Sequence, residues 1–346
     1  MKHLPIVLIL FAALIVPVKA VSVEAPKVPS SGEAYMPETV HSFGESLKSM
    51  AETVLSQLRP DFGSAIQTGL SLLAAAMLLS TVSVWNGKGN LPIKLVGALV
   101  GGTLLLGSSQ NMIRLASETI RDLTDYGKLL FPVLTTAMAA QGGVTASTSL
   151  YAGTMILDIL LSHFLSGLLL PAVRIFLALS MAAAVTGEKL LKRMGSFIKN
   201  GVSWSLKVLL TAFTSYMSIT GVVSGTTDAA ALKATKVTIS SVVPVVGSIL
   251  SDASEAVLVS TGVLRNAAGV YGLLAVFAVV LAPFGKIGLQ YLVLKASASL
   301  CAIFDAGGLQ EVVENVATAM GLLLAMTGTV SLLLLISTVC FLKEVG

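Results

Sequence analysis

Residues 316–341 read VATAMGLLLAMTGTVSLLLLISTVCF, a run of 26 residues without one charged side chain. An α-helix needs about 20 apolar residues to cross the hydrocarbon core of a bilayer. This run is longer than that, and similar apolar runs recur through the chain on its N-terminal side. The stretch therefore predicts a transmembrane helix, the last of a series.

The composition extends this prediction to the whole chain. Of its 346 residues, 55% are hydrophobic and 12% are charged, whereas soluble domains carry about 25% charged residues. The mean hydropathy is +0.89. Because so few charges cannot cover a soluble protein of this size, lipid must surround most of it. The predicted fold is an all-α, polytopic membrane helical bundle of about nine or ten transmembrane helices with an internal duplication.

The individual spans are predicted from the apolar runs, and helices are favoured because they satisfy all backbone hydrogen bonds within lipid. The runs lie near 66–84, 94–112, 129–147, 150–168, 171–186, 207–224, 242–260, 267–284, 287–304 and 316–341. Residues 187–206 form the most basic short loop between them, which predicts a cytoplasmic position.

Two span counts remain open. Ten spans put the C-terminus on the extracytoplasmic side. If 242–260 does not cross, the count is nine, the acidic loop 305–315 lies outside and Lys343 lies inside. The charge bias favours nine spans, whereas the internal symmetry favours ten.

The predicted duplication relates residues 94–186 to residues 207–304, an arrangement from which many transport proteins are built. Its evidence is a shared offset of 112 positions, which relates Pro132 to Pro244, Pro171 to Pro283, and Arg174 to Lys286. The four prolines are also predicted to mark helix breaks or kinks, because proline removes a backbone donor.

The N-terminus predicts a targeting segment. Lys2 and His3 precede a short apolar core, and Ala20 offers a small residue for cleavage, so residues 1–20 are predicted to be a signal peptide; a retained signal anchor is the alternative. Residues 21–65 are then an extracytoplasmic segment, and 66–346 the polytopic membrane domain. Apolar positions that step by three or four over 38–58 predict an amphipathic helix on the membrane surface or on a partner.

No motif predicts catalysis. The phosphate-binding loop, the His-Glu-x-x-His zinc motif and the Gly-x-Ser-x-Gly nucleophile motif are all missing from the sequence. Cys301 and Cys340 lie far apart in apolar runs, as expected of small buried hydrophobes. The sequence therefore predicts a protein that is not an enzyme and needs no metal or cofactor; nor is a nucleic-acid partner predicted.

Charged and polar side chains within apolar runs are the candidate functional residues, because they are costly in lipid. Some could line a cavity or form an interaction surface, and Asp158 with His163 could relay protons. The plainer interpretation is an interhelical contact, such as Asp158 with Arg174 or Lys286. The full candidate set is Asp158, His163, Arg174, Asp252, Glu255, Arg265 and Lys286.

Small residues predict packing and turns. Gly97 and Gly101 form a small-xxx-small pattern that lets two helices approach closely. The pair Gly307-Gly308 is most simply interpreted as a turn.

Several stretches resemble the stage III sporulation protein AE family of endospore-forming bacteria. The resemblance runs from about residue 66 to the C-terminus and is most specific over 219–310. It rests on Gly221-Val-Val-Ser224, Ala234-Thr-Lys236, Pro244-Val-Val-Gly-Ser-Ile-Leu-Ser-Asp-Ala-Ser-Glu-Ala256, Arg265-Asn266, Gly269-Val-Tyr-Gly272 and Gly307-Gly308.

This resemblance implies a permease-like, integral component of a secretion-type channel complex between mother cell and forespore. It implies a multi-pass position in the mother-cell-derived membrane around the forespore, with an ATPase and ring-forming proteins of the same operon as partners. A homo-oligomer is left open, and the resemblance names no active site. Two alternatives remain: a self-sufficient ion-coupled transporter that uses Asp158 or Asp252, and a non-conducting scaffold for channel assembly.

Overall fold

The structure, a computed structural model, describes residues 26–37, 43–86, 91–140, 153–157, 160–161, 163–219 and 267–345. The predicted signal peptide and the 242–260 run lie outside these residues. The helices are α1 (Ser30–Glu33), α2 (Phe43–Asn86), α3 (Leu91–Ala140), a π-helical turn (Leu165–Leu169) that continues into α4 (Leu170–Thr186), α5 (Lys189–Ile219), α6 (Ala267–Ile303) and α7 (Gly307–Val345).

Five helices are long and apolar enough to cross a membrane, and the described residues contain no strand. They are α2, α3, the π turn with α4, α6 and α7. The all-helical membrane class is thus supported, whereas the count of nine or ten is not confirmed. Two predicted spans, 267–284 and 287–304, form the single helix α6, and all but the first two residues of the predicted loop 187–206 lie within α5.

Two of the prolines that were predicted to mark helix breaks or kinks do not break their helices. Pro132 lies inside α3 and Pro283 inside α6, and both helices continue on either side. Pro171 lies in the first turn of α4, next to the π turn. Neighbouring helices can compensate for the lost backbone hydrogen bond, which is why membrane helices tolerate proline. Pro244 lies outside the described residues.

Helix α7 is the centre of the described bundle. It packs against α3, α6, α4 and α5, and 94% of its most apolar stretch is buried inside the protein, against 22% for α2 and 28% for α3. The buried hydroxyls of Thr327, Thr329 and Thr338 donate to carbonyls four residues earlier in the same helix. One of the most apolar helices of the described residues is therefore enclosed by other helices.

The outer helices carry the surface that suits lipid. On α2, large exposed apolar side chains run from Phe62 to Val82, a stretch whose length is about 30 Å at 1.5 Å per residue. That length matches the hydrocarbon core of a bilayer. Helix α6 adds Leu292 and Leu300, which are 61% and 40% exposed. This outer surface accounts for membrane residence without exposing α7.

Residues 43–58 of the predicted amphipathic helix form the N-terminal part of α2, and the apolar side of this part packs inside the protein. Val54 and Leu58 are buried against Ala282 of α6, and the Phe43 and Phe277 rings meet edge-on with centroids 6.3 Å apart. The apolar side of this helix therefore packs on α6 of the same chain, not on the membrane surface or a partner.

Glycines let α3 approach the start of α7, as the small-xxx-small pattern predicted. A Cβ on Gly97 would lie 3.1 Å from the Leu309 backbone nitrogen, and one on Gly101 would lie 2.8 Å from a Leu309 methyl. The Gly307-Gly308 pair does not form the turn predicted for it. The chain reverses just before it, at Phe304–Ala306, where Asp305 has a φ of 56°. Gly308 instead lies against the Lys94 backbone.

Candidate functional site

Two ion pairs hold the first turns of α7. The Oε1 atom of Glu311 lies 2.8 Å from the Nζ atom of Lys192 on α5, and the Glu314 carboxylate pairs with the ammonium group of Lys295 on α6. The two pairs therefore fix the start of the central helix from two neighbouring helices.

The Lys192–Glu311 pair also corrects the predicted topology. It places the basic start of α5 and the acidic start of α7 at the same end of the bundle. The nine-span arrangement put the acidic loop 305–315 on the side opposite the basic loop, and that arrangement is wrong.

The contribution of this pair should be modest and should depend on both partners. Their side chains are 48% and 32% exposed, so we expect Lys192→Gln and Glu311→Gln each to lower the free energy of unfolding by about 0.5–1 kcal/mol. The double variant should lose no more than either single one. Thermal unfolding in detergent, followed by a thiol-reactive dye that reports the buried Cys301 and Cys340, measures this. Arg193→Gln is the matched control, and strictly additive losses would contradict the coupling.

A third ion pair joins α2 to α6. The Nζ atom of Lys286 lies 3.2 Å from Oδ2 of Asp61, and both side chains are about one third exposed. Gln290 lies one helical turn further along α6, is 7% exposed, and its Nε2 finds no partner among the described residues. The partner suggested from sequence, Asp158, lies outside the described residues, so Lys286 pairs with a residue that the sequence did not single out.

A stripe of alternating charges runs along the exposed side of α3. Its members recur every three or four residues, the spacing of one helix side, and are 44–84% exposed: Arg114, Glu118, Arg121, Asp125 and Lys128. The ion pairs between them measure 3.9, 3.7 and 2.9 Å. Because each charge at the bilayer centre costs about 2.5–3.5 kcal/mol, this stripe must face water or protein. The sequence showed these charges, and their spacing could have identified the stripe.

An apolar cavity of about 290 Å³ lies between α3, α5 and α7. Phe131, Trp204, Phe213 and Leu333 contribute to its wall, together with residues that precede the π turn. The described lining residues carry no charge. The cavity can therefore hold a hydrocarbon chain, and its described lining offers no acid or base for catalysis.

The sequence-predicted candidates do not converge on one site within the described residues. His163 is exposed just before the π turn, Arg174 is exposed on α4, and Lys286 binds Asp61. The residues Asp158, Asp252, Glu255 and Arg265 lie outside the described part of the chain. Within that part, no group of three or more His, Cys, Asp or Glu residues could hold a metal ion.

Comparison with known proteins supplies the family. The sequence model of stage III sporulation protein AE matches residues 43–343, so the match begins at the first residue of α2 rather than near residue 66. A curated relative, "Stage III sporulation protein AE" of Bacillus subtilis (strain 168), is 22% identical over 234 residues. The aligned part covers 68% of this chain and 59% of the relative. No solved structure matches.

The family match covers nearly all of the membrane bundle, from the start of α2 almost to the end of α7. It includes the ion pairs on α7, the charged stripe of α3 and the cavity. The chain therefore belongs to the stage III sporulation protein AE family.

Proposed function

We propose that this chain is an integral, permease-like component of the channel complex between mother cell and forespore, and that endospore formation requires it. The observation that carries the proposal is the family match over residues 43–343. The proposed location is the mother-cell-derived membrane around the forespore, and the proposed partners are an ATPase and ring-forming proteins of the same operon. The proposed role is not enzymatic.

The position of α7 favours a component of a complex over a self-sufficient ion-coupled transporter. Transporter sites are often formed by discontinuous helices near the bilayer midplane. Here α7 fills the centre of the described bundle, and the hydroxyls of Thr327, Thr329 and Thr338 donate their hydrogen bonds within the helix. A passage through the described bundle would have to displace this helix. We therefore place the passage where this chain meets other subunits.

The charged stripe of α3 is the surface we assign to a neighbouring subunit. It carries three basic residues and two acidic ones at helical spacing, and such a surface is stable against protein or water but not against lipid. Charged pairs at an interface set register and partner choice more than affinity.

Deletion of the gene in its host tests the proposed function. We expect forespore development to stop after engulfment and heat-resistant spores to be lost, with both restored by the wild-type gene. Normal heat-resistant spores from the deletion strain would overturn the proposal.

Gradient-driven uptake by the purified chain in liposomes, lost in Asp158→Asn or Asp252→Asn, would favour the transporter instead. Capture of ring-forming proteins without vesicle permeability would favour a scaffold.

Complementation of the same deletion strain tests the α3 stripe. The variant Arg114→Gln/Arg121→Gln/Lys128→Gln should reach wild-type amounts in the membrane but restore far fewer heat-resistant spores. The reason is that the α3 stripe, which we assign to the contact with a neighbouring subunit, has lost its cations. Arg174→Gln, an exposed cation on α4, is the control and should complement fully. If the stripe variant restores sporulation as well as the control, the stripe is not a partner surface.

A further inference from the structure

Helix α5 is strongly basic. Lys189–Ile219 carries five basic residues and no acidic residue. Its basic residues recur on one flank of the helix, and they are Lys189, Lys192, Arg193, Lys199 and Lys207. Lys192 is paired with Glu311. Within the described parts of the chain, no carboxylate pairs with the other four, so this flank carries a net positive charge.

A second stripe on α5 is apolar and turned outward. Its members recur at helical spacing and are 44–80% exposed: Leu190, Met194, Phe197, Trp204 and Val208. The opposite side of the helix, including Gly195, Val202 and Leu206, is buried in the bundle. Helix α5 therefore presents a basic flank directly beside an exposed apolar stripe.

The apolar cavity adjoins this stripe. Trp204 and Val208 belong to the stripe and also line the cavity, with Leu209 and Phe213 further along the helix. A hydrocarbon chain that lies against the stripe can thus enter a preformed cavity of about 290 Å³.

We propose that α5 binds anionic phospholipid, with the headgroup phosphate on its basic flank and an acyl chain on its apolar stripe and in the cavity. Basic and apolar stripes on one helix are the arrangement with which amphipathic helices bind anionic membranes. Lysine and arginine near a bilayer surface attract anionic lipid. An acidic protein would satisfy the cations but would not need the exposed Phe197 and Trp204. This inference concerns lipid choice and does not depend on the proposed channel role.

Fluorescence quenching of Trp204 tests the proposal in the full chain. The chain has two tryptophans, Trp85 and Trp204, so Trp85→Phe leaves Trp204 as the only reporter. The protein is reconstituted in nanodiscs that contain either brominated phosphatidylglycerol or brominated phosphatidylcholine at the same fraction, the other lipid being unbrominated. We expect quenching by the anionic lipid to indicate about a fivefold local enrichment at low salt. The enrichment should fall in about 1 M salt, where the Debye length is about 3 Å.

The variant Lys189→Gln/Arg193→Gln/Lys199→Gln/Lys207→Gln should remove the preference, so that both brominated lipids quench equally. The matched control, Arg114→Gln/Arg121→Gln/Lys128→Gln on α3, should retain it. The comparison between the two brominated lipids in the protein with an unchanged α5 tests the proposal even if the quadruple variant does not fold. Equal quenching by both lipids in the wild type would overturn the proposal. So would no quenching by either lipid, which would show that protein covers Trp204.

Discussion

Replacement of Gly308 by alanine is expected to destabilise the native bundle strongly. A Cβ at this position would overlap the carbonyl oxygen of Lys94 and would lie 2.8 Å from the carbonyl carbon and 3.0 Å from the Cα of the same residue. These are backbone atoms, which cannot rotate away as a side chain can. The start of α7 and the start of α3 would have to separate, with loss of the packing beside Gly97 and Gly101. We expect a cost of about 3 kcal/mol or more.

The measurement is the midpoint of thermal unfolding in detergent, read from dye labelling of the buried Cys301 and Cys340. Gly102→Ala on α3 is the matched control, because a Cβ there meets nothing within 4 Å. Alanine in an open helical position stabilises by up to about 1 kcal/mol relative to glycine. The control should therefore unfold at the same temperature as the wild type or slightly above it. If both variants behave alike, α3 and α7 do not touch at Gly308.

Replacement of Leu323 by alanine is the second change with a large expected effect. Leu323 lies on α7 and is fully buried, so the variant leaves a cavity enclosed by protein. Such a cavity costs about 2–5 kcal/mol. If α7 instead faced the bilayer, lipid chains would fill the space, since lipid is as apolar as leucine.

Leu292→Ala on α6 provides the comparison, because Leu292 is 61% exposed and lies on the surface that we assign to lipid. We expect this variant to cost less than about 0.5 kcal/mol, as surface substitutions usually do. Denaturation in bicelles, where lipid can refill a surface gap, is the suitable assay. A loss at Leu323 no larger than that at Leu292 would contradict the central position of α7.

The sequence predicts best the features that depend on local pattern. The helix predicted at 171–186 corresponds to α4, Leu170–Thr186, because an apolar run there is followed by Gly187 in the left-handed conformation that ends helices. The glycine pattern at Gly97 and Gly101 predicted a close approach, which the structure confirms with Leu309. The length of an apolar run and the spacing of glycines are sufficient to predict such features from the sequence.

The ends of the helices were predicted less well from the sequence. The charged segment 113–128 lies inside α3, and the predicted loop 187–206 is helical from Lys189 onward, where α5 begins. A charged segment ends a transmembrane stretch but does not end a helix, because the backbone hydrogen bonds continue in water or against protein. Helix α3 has 50 residues, a length of about 75 Å, so it must extend beyond the hydrocarbon core.

Tertiary features left no local signal. Hydropathy ranks α7 among the most apolar helices, but composition cannot tell whether protein or lipid surrounds an apolar helix. The partner of Lys286 is Asp61, which is distant in sequence. Pairing across the bundle depends on how α2 lies against α6, and nothing near either residue indicates it.

The most direct test of the central claim is lipid-phase photolabelling of the protein in native membranes, with the labelled residues identified by mass spectrometry. A reagent dissolved in the hydrocarbon should label exposed residues of the outer helices, such as Leu78 of α2, Leu104 of α3 and Leu292 of α6. It should leave residues 316–340 of α7 unlabelled, because the surrounding helices keep lipid away from them. Labelling of α7 as strongly as of α2 would contradict the account.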